Sequence, residues 1–268
     1  MYGGFFILFF YYFFILKFSF LFIDLLKFIF INMQDMKNLN ESEKTEVMKM
    51  KNCLIISNGE IKDFQKIKSN LENYYDLDKD TLIISADGAV SLCRNMDLCP
   101  DIIIGDMDSA AENDIEYFVT INRKAEIIKF SKNKDESDTQ LAIDYAVKKG
   151  CRQIIIAGAL GNRIDHSLAN IFNLFSENYN GIDLKIMDEN FEISVLRQST
   201  SISGRTGKKI SVFSMTPYTF FINTEGLKYK LKNEKLLFSP IRGLSNIFTD
   251  DVARMDFSEG VLLIVKEI

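Results

Sequence analysis

The sequence predicts an α/β plus all-β protein: a mostly parallel α/β sandwich domain, then a smaller antiparallel β-sandwich or barrel. Three observations carry that prediction. Between residues 53 and 188, short β-branched runs alternate with helical patterns, the order expected of a parallel sheet with helices on both faces. After about residue 190 the runs become short and closely spaced, with Gly or Pro between them and no long amphipathic helix. The first 50 residues fit neither pattern. The expected organisation is therefore an extension over 1–50, an α/β domain over 51–189 and an all-β domain over 190–268.

The extension opens on an apolar run from Phe5 to Leu16, which resumes from Phe18 to Ile23 and breaks at Asp24 and Lys27. Residues 1–31 hold 11 of the 23 Phe of the chain. A membrane-spanning helix needs about 20 mostly apolar residues, and the run reaches that only across Lys17. A secretory signal would carry positive charge before the run and small residues after it, and neither is present. Two readings remain: a membrane anchor, with membrane contact through residues 5–31, or an uncleaved or mis-assigned extension with later starts at Met33, Met36, Met48 or Met50. Residues 32–50 are polar without periodicity and read as a disordered linker.

In the α/β part the expected strands are Cys53–Ser57, Thr81–Ser85, Asp101–Ile104, Glu126–Phe130, Gln153–Ala157 and Asp183–Met187. Their centres are continuously apolar, as strands buried on both faces should be. Ser137-Asp138-Thr139-Gln140 is a capping box that starts a helix. Leu168, Ile171, Phe172 and Phe175 follow helical spacing, and Asp165 is the expected cap of that helix. In the all-β part, strands are expected near 191–197, 208–214, 218–223, 227–231, 234–238, 246–249 and 261–266.

Composition narrows the function. The chain has 268 residues and a net charge of -5, with no basic excess to favour a nucleic-acid partner. Its cysteines, Cys53, Cys93, Cys99 and Cys151, have no metal-ligand spacing and read as reduced thiols of a cytoplasmic protein.

The carboxylates collect where an open α/β sheet binds ligands, past the carboxyl ends of its strands. Asp87-Gly88 follows one strand, Asp106 and Asp108 the next, and Asp135 and Asp138 the one after. Asp106, Asp108 and Asp138 could offer three hard oxygen ligands to one small cation such as magnesium, which keeps its other positions for water and substrate phosphate. Each such segment is also an ordinary polar turn, but acidic turns at successive strand ends favour the metal. Gly158 to Gly161 opens into a helix whose free N–H groups suit a phosphate, and Arg163 adds a charge-assisted donor. Gly204–Lys209 lacks P-loop spacing and reads as a basic hairpin turn. His166, the sole histidine, reads equally as a structural or a functional residue. No Ser–His–Asp or Cys–His set can be argued.

Taken in order, these residues resemble a family. Ala86-Asp87-Gly88, then Pro100-Asp101-x-x-x-Gly105-Asp106-x-Asp108-Ser109, then Asp135-x-Ser137-Asp138, then Gly158-x-x-Gly161-x-Arg163-x-Asp165-His166-x-Leu168-Ala169-Asn170 is similar to thiamine pyrophosphokinase. Ser214-x-x-Pro217, Gly226-Leu227-Lys228-Tyr229-x-Leu231 and Leu244-Ser245-Asn246 continue the likeness, which covers residues 53–266. The resemblance implies transfer of the pyrophosphoryl group of ATP to the hydroxyl of thiamine, giving thiamine diphosphate and AMP with Mg2+. It implies a homodimer with its active sites at the subunit interface. Carried over by motif, Asp106, Asp108 and Asp138 bind the metal and, with Arg163, form the catalytic set. Asp87, Gly88, Gly158, Arg163, Asp165, His166 and Asn170 belong to the nucleotide region. Asp135, Tyr229, Ser245 and Asn246 belong to the thiamine side. Asp138 or Asp108 could accept the thiamine hydroxyl proton, although a metal-bound carboxylate is a poor base. Ala89, Ala159 and Ser137 replace residues common in the family, small for small. Ile247 stands where a polar residue is usual, which bears on the shape of the thiamine pocket. The other readings of the same acidic strand ends are a metal-dependent nucleotide phosphohydrolase and a membrane-tethered nucleotide- or thiamine-binding protein.

Overall fold

A single ten-stranded sheet runs through the α/β and all-β halves of the chain. The computed structural model describes residues 51–75, 77, 80–107, 112–122, 125–131 and 135–268. The expectations for residues 1–50 and for Asp108 lie outside them.

The elements in chain order are β1 (Lys51–Ile56), α1 (Phe64–Tyr74), β2 (Leu82–Ala86), α2 (Val90–Asn95), β3 (Ile102–Gly105), α3 (Glu112–Ile121), β4 (Glu126–Lys129), α4 (Asp138–Lys148), β5 (Cys151–Ala157), α5 (Ile164–Asn173) and β6 (Asp183–Met187). There follow β7 (Phe191–Leu196), β8 (Thr200–Ser203), β9 (Lys209–Ser214), β10 (Tyr218–Glu225), β11 (Lys232–Leu237), β12 (Asn246–Ile247), β13 (Val252–Glu259) and β14 (Leu262–Glu267). The large sheet has the order β12-β9-β14-β7-β6-β5-β1-β2-β3-β4. Strands β1 to β6 pair parallel, and β7 is the first antiparallel partner, set against β6.

The β-branched runs fill both faces of the parallel part. One core gathers Ile55, Ile84, Ile104, Ile154 and Ile156 with Ala142, Ile143 and Ala146 of α4. The opposite core gathers Leu54, Ile56, Ile103 and Ile155 with Ile67 and Leu71 of α1 and Phe118 of α3. Alternate residues of one strand thus enter opposite cores, as the pleat demands, and helices cover both faces.

A second sheet, β11-β10-β13-β8, lies against the antiparallel end of the first. Ile210, Val212, Leu262 and Ile264 of the large sheet meet Phe221, Leu236, Met255 and Phe257 of the small one. This is a sandwich, not a closed barrel.

Several local expectations are corrected. Residues 227–231 form a loop tied to the fold by an isolated bridge from Leu227 to Phe248, not a strand. Strands β8 and β13 were not expected. In β13, Ala253, Met255 and Phe257 alternate with exposed or half-buried residues, so its period-2 signal was present beneath the charges of Arg254 and Asp256. Asp165 is not the cap of α5. The chain turns helical at Ile164, with Arg163 in the cap position, so the Asp165 side chain turns back to the guanidinium instead. Ser137 does cap α4, its hydroxyl accepting from the Gln140 N–H at 3.2 Å.

Candidate active site

The parallel strands run outward from β1 in one direction through β2, β3 and β4. The chain then returns to the other side of β1 with β5 and β6. The helices that follow β1 and β5, α1 and α5, therefore pack on opposite faces of the sheet, and an open α/β sheet forms its ligand crevice at such a point. A cavity of about 600 Å3 lies there.

Two loops make one wall. Ser57 N–H donates to Ala157 O at 2.8 Å, Gly59 N–H to Gly158 O at 2.7 Å, and Glu60 N–H to Leu160 O at 2.8 Å. The loops approach so closely that a Cβ on Gly59 would overlap the carbonyl oxygens of both Gly158 and Leu160. One on Gly161 would sit 2.9 Å from Glu60 N. Gly158 has a φ of +65°, where only glycine rests without strain.

The chemistry enters from three helical starts. Asp87 begins a single 3-10 turn after β2, is buried and has a φ of +46°, a region that Asp tolerates better than most residues. Gly105 at the end of β3 packs against it, with room for a Cβ only 2.8 Å from Asp87 Cβ. Ser137, Asp138 and Thr139 bring the first turn of α4 to the cavity, and Arg163, His166 and Ser167 bring that of α5. Helix starts present N–H groups and a positive dipole end. The lining carboxylates are Glu60, Asp87 and Asp138, against the single guanidinium of Arg163.

Of the residues expected at the site, Asp87, Asp138, Arg163, His166 and Asn170 line this cavity together. Asn170 is buried on α5 and donates through Nδ2 to Ala159 O at 2.7 Å, so it holds the glycine turn in place. Asp165, itself outside the cavity lining, forms a bidentate pair with Arg163 at 3.0 and 2.6 Å. Hydrogen bonding from Arg163 holds the Asp165 carboxyl well below the usual carboxylate range. Gly88 and Gly158 are buried backbone next to lining residues. Asp106 sits half-buried past β3, beyond the lining, and Asp135 is exposed ahead of α4.

Tyr229, Ser245 and Asn246 lie elsewhere, at the β12 end of the large sheet. Tyr229 is 59% exposed, with Lys228 Nζ 5.5 Å from its ring centroid. Asn246 accepts from Tyr229 N–H at 2.9 Å and donates to Tyr229 O at 2.7 Å. Both ends of its amide are thus spent on the Tyr229 main chain, and it positions that ring. Ser245 N–H donates to Ser211 Oγ at 3.0 Å.

Sequence reasoning missed Ser57, Asn58, Gly59 and Glu60. They follow the first strand as the acidic turns follow the others, and the Asn-Gly turn signal was the available clue.

Models of known families match both halves of the chain. That of thiamin pyrophosphokinase, catalytic domain, matches residues 71–186, and that of thiamin pyrophosphokinase, vitamin B1 binding domain, matches residues 193–262. The chain belongs to the thiamin pyrophosphokinase family. Thiamine pyrophosphokinase of Bacillus subtilis is 26% identical over 192 residues, covering 70% of this chain and 88% of that one. Thiamine pyrophosphokinase 1 of Oryza sativa subsp. japonica is 26% identical over 167 residues, which span 58% of this chain and 62% of the rice protein. Among solved structures, the Bacillus subtilis enzyme superposes with a TM-score of 0.70 at 23% identity, covering 81% of this chain and 99% of that one. The yeast enzyme gives 0.65 at 19% identity, covering 88% and 90%. These likenesses agree with the α/β sheet and β-sandwich described above. The Ser57–Glu60 loop lies outside both matched segments, although it lines the family's catalytic half.

Proposed function

We propose that this chain is a thiamine pyrophosphokinase, which moves the pyrophosphoryl group of ATP to the hydroxyl of thiamine and releases AMP. The observation that carries the proposal is the cavity at the switch point, with three carboxylates, an arginine and helix starts converging in a chain of this family. In the transfer, the thiamine oxygen bonds to the β-phosphorus as the bond from that phosphorus to the α-phosphate oxygen breaks, and the hydroxyl proton passes to a carboxylate of the site or to water. Such a reaction needs positioning and charge neutralisation rather than a covalent nucleophile. The starts of α4 and α5 would hold phosphate oxygens, and Arg163 would neutralise developing charge. Asn170 keeps the Gly158–Gly161 turn in shape around them.

The donor set suits magnesium. Glu60, Asp87 and Asp138 supply hard oxygens, and their excess over Arg163 means that a polyphosphate needs accompanying cations. Among the described residues no three acidic, His or Cys side chains group closely enough to cage a metal. Asp108 lies outside those residues, and magnesium also takes ligands from substrate phosphates. Asp138, with Asp106 and Asp108 from the loop after β3, would hold it. When bound it supplies charge neutralisation at the phosphate oxygens.

We assign thiamine to the Tyr229, Ser245 and Asn246 side, where an aromatic face suits a thiazolium cation. None of these residues lines the cavity, which supports a homodimer whose active sites are completed across the interface. Ile164 and Phe172, 71% and 56% exposed on α5, add apolar surface for such a contact. The catalytic and thiamine-binding parts divide near residue 190, where the sheet turns antiparallel. All four cysteines are free thiols, which supports a cytoplasmic site of action. Among the described residues no helix is long and apolar enough to cross a membrane.

The test is AMP release by the full-length chain with ATP and magnesium. AMP should form only when thiamine is added. Phosphate release that ignores thiamine would support a nucleotide phosphohydrolase and sink the proposal.

A further inference from the structure

Ser57 and Thr139 meet across the cavity wall, 82 residues apart in sequence, with their hydroxyl oxygens 2.6 Å apart. Ser57 is 1% exposed and Thr139 8%, and both line the cavity. Each hydroxyl has one hydrogen to donate. The contact between them uses one of the two, whichever residue donates it. Among the described residues neither hydroxyl has another hydrogen-bond partner. One O–H hydrogen of the couple is therefore unspent in a nine-tenths-buried setting, where a donor without an acceptor is costly.

The surroundings say what would accept it. Thr139 is in the first turn of α4, whose positive end faces the cavity, and Ser57 begins the loop laced to Ala157–Leu160. An oxygen anion there meets an O–H donor and the positive start of a helix together, whereas a ligand N–H would face that same positive end. We propose that the Ser57–Thr139 couple is a phosphate-oxygen donor of this site, presenting one O–H to the polyphosphate of the nucleotide. The inference rests on the nucleotide reading given above. It adds a pair whose Ser57 member lies outside the matched family segments.

The test uses the full-length chain, the substitutions Ser57→Ala and Thr139→Val together, and titration calorimetry with ATP, inorganic pyrophosphate and adenosine. A hydrogen bond to a charged group is worth about tenfold or more in affinity. ATP and pyrophosphate should weaken by that factor, adenosine should be unchanged, and Thr139→Ser should bind ATP as the parent does. The ligand-free melting temperature should hold or rise, because the unspent donor has gone. Unchanged ATP affinity, equal weakening of ATP and adenosine, or a lowered melting temperature with intact ATP binding would each overturn the inference. Thiamine diphosphate formation in the parent protein separates the two claims. If it is absent while the double variant still loses pyrophosphate, the function reading fails and the donor couple stands. If it is present with variant affinities intact, only the couple fails.

Discussion

Replacing Gly59 with alanine tests whether the site is built by the close approach of two loops. The added methyl would overlap the Gly158 and Leu160 carbonyl oxygens, both backbone atoms that cannot rotate away. To admit it the loops must part, straining the Gly59 N–H to Gly158 O and Glu60 N–H to Leu160 O bonds of 2.7 and 2.8 Å. Overpacking costs about 1–3 kcal/mol, and each hydrogen bond contributes about 0.5–1.5 kcal/mol net. With partial relaxation the total is about 2–4 kcal/mol, which lowers the melting temperature of a domain this size by about 4–16 °C. The same parting shifts Glu60 and the Gly158 turn, so the KM for ATP should rise while that for thiamine changes little. Gly181→Ala is the control. Its φ of +81° imposes conformational strain, but no atom lies within 4 Å of the new methyl, so stability should fall modestly and KM should not move. Calorimetric melting and steady-state kinetics on the full chain give both readouts. A Gly59→Ala protein that melts within about 1 °C of the parent and keeps its KM for ATP would refute the reasoning.

Four further outcomes are expected. Asp138→Asn should abolish turnover and leave the circular dichroism melt nearly unchanged, because Asp138 lines the cavity and Ser137, not Asp138, caps α4; near-normal turnover would remove its role. Asn170→Ala should cost about 1–3 kcal/mol by orphaning Ala159 O, bonded at 2.7 Å, and should raise the KM for ATP. Lys266→Met should cost about 3–5 kcal/mol, since it removes the cation paired at 3.2 Å with almost fully buried Glu192 and leaves that carboxylate the Tyr75 hydroxyl at 2.8 Å but no opposite charge there, and the melt should recover in part when Glu192→Gln is added. Burial pushes the Cys93 thiol up to about 12. The unfolded thiol ionises near pH 9, so this contribution is intact below pH 9 and is lost progressively as pH rises toward 12. Melting temperature should fall over that window, and alkylation at pH 8 should label exposed Cys99 and spare Cys93.

The legible parts of the fold were those set by local pattern. Ile154–Ile156 and Ile102–Ile104 could only be buried strands, and Ser137 could only start a helix. Strand order is not local. Nothing in Cys53–Ser57 says that β1 lies between β2 and β5, so the cavity could not be placed beneath the loop Ser57–Glu60. The acidic turns pointed to the end of the sheet where the cavity lies, because Asp and Gly mark strand ends whatever the order. Asp165 was misplaced for the opposite reason. Its capping propensity is real, but the guanidinium two residues earlier offers a charged partner and wins. Asn246 was read as a ligand contact from motif alone. Its two hydrogen bonds to Tyr229 depend on a contact across 17 residues that the sequence does not display.

The most direct measurement of the central claim is phosphorus NMR of the full-length chain turning over ATP and thiamine with magnesium. The account predicts thiamine diphosphate and AMP in equal amounts, with both transferred phosphorus atoms arriving together and no ADP. Thiamine monophosphate with ADP, or free phosphate with thiamine untouched, would contradict it.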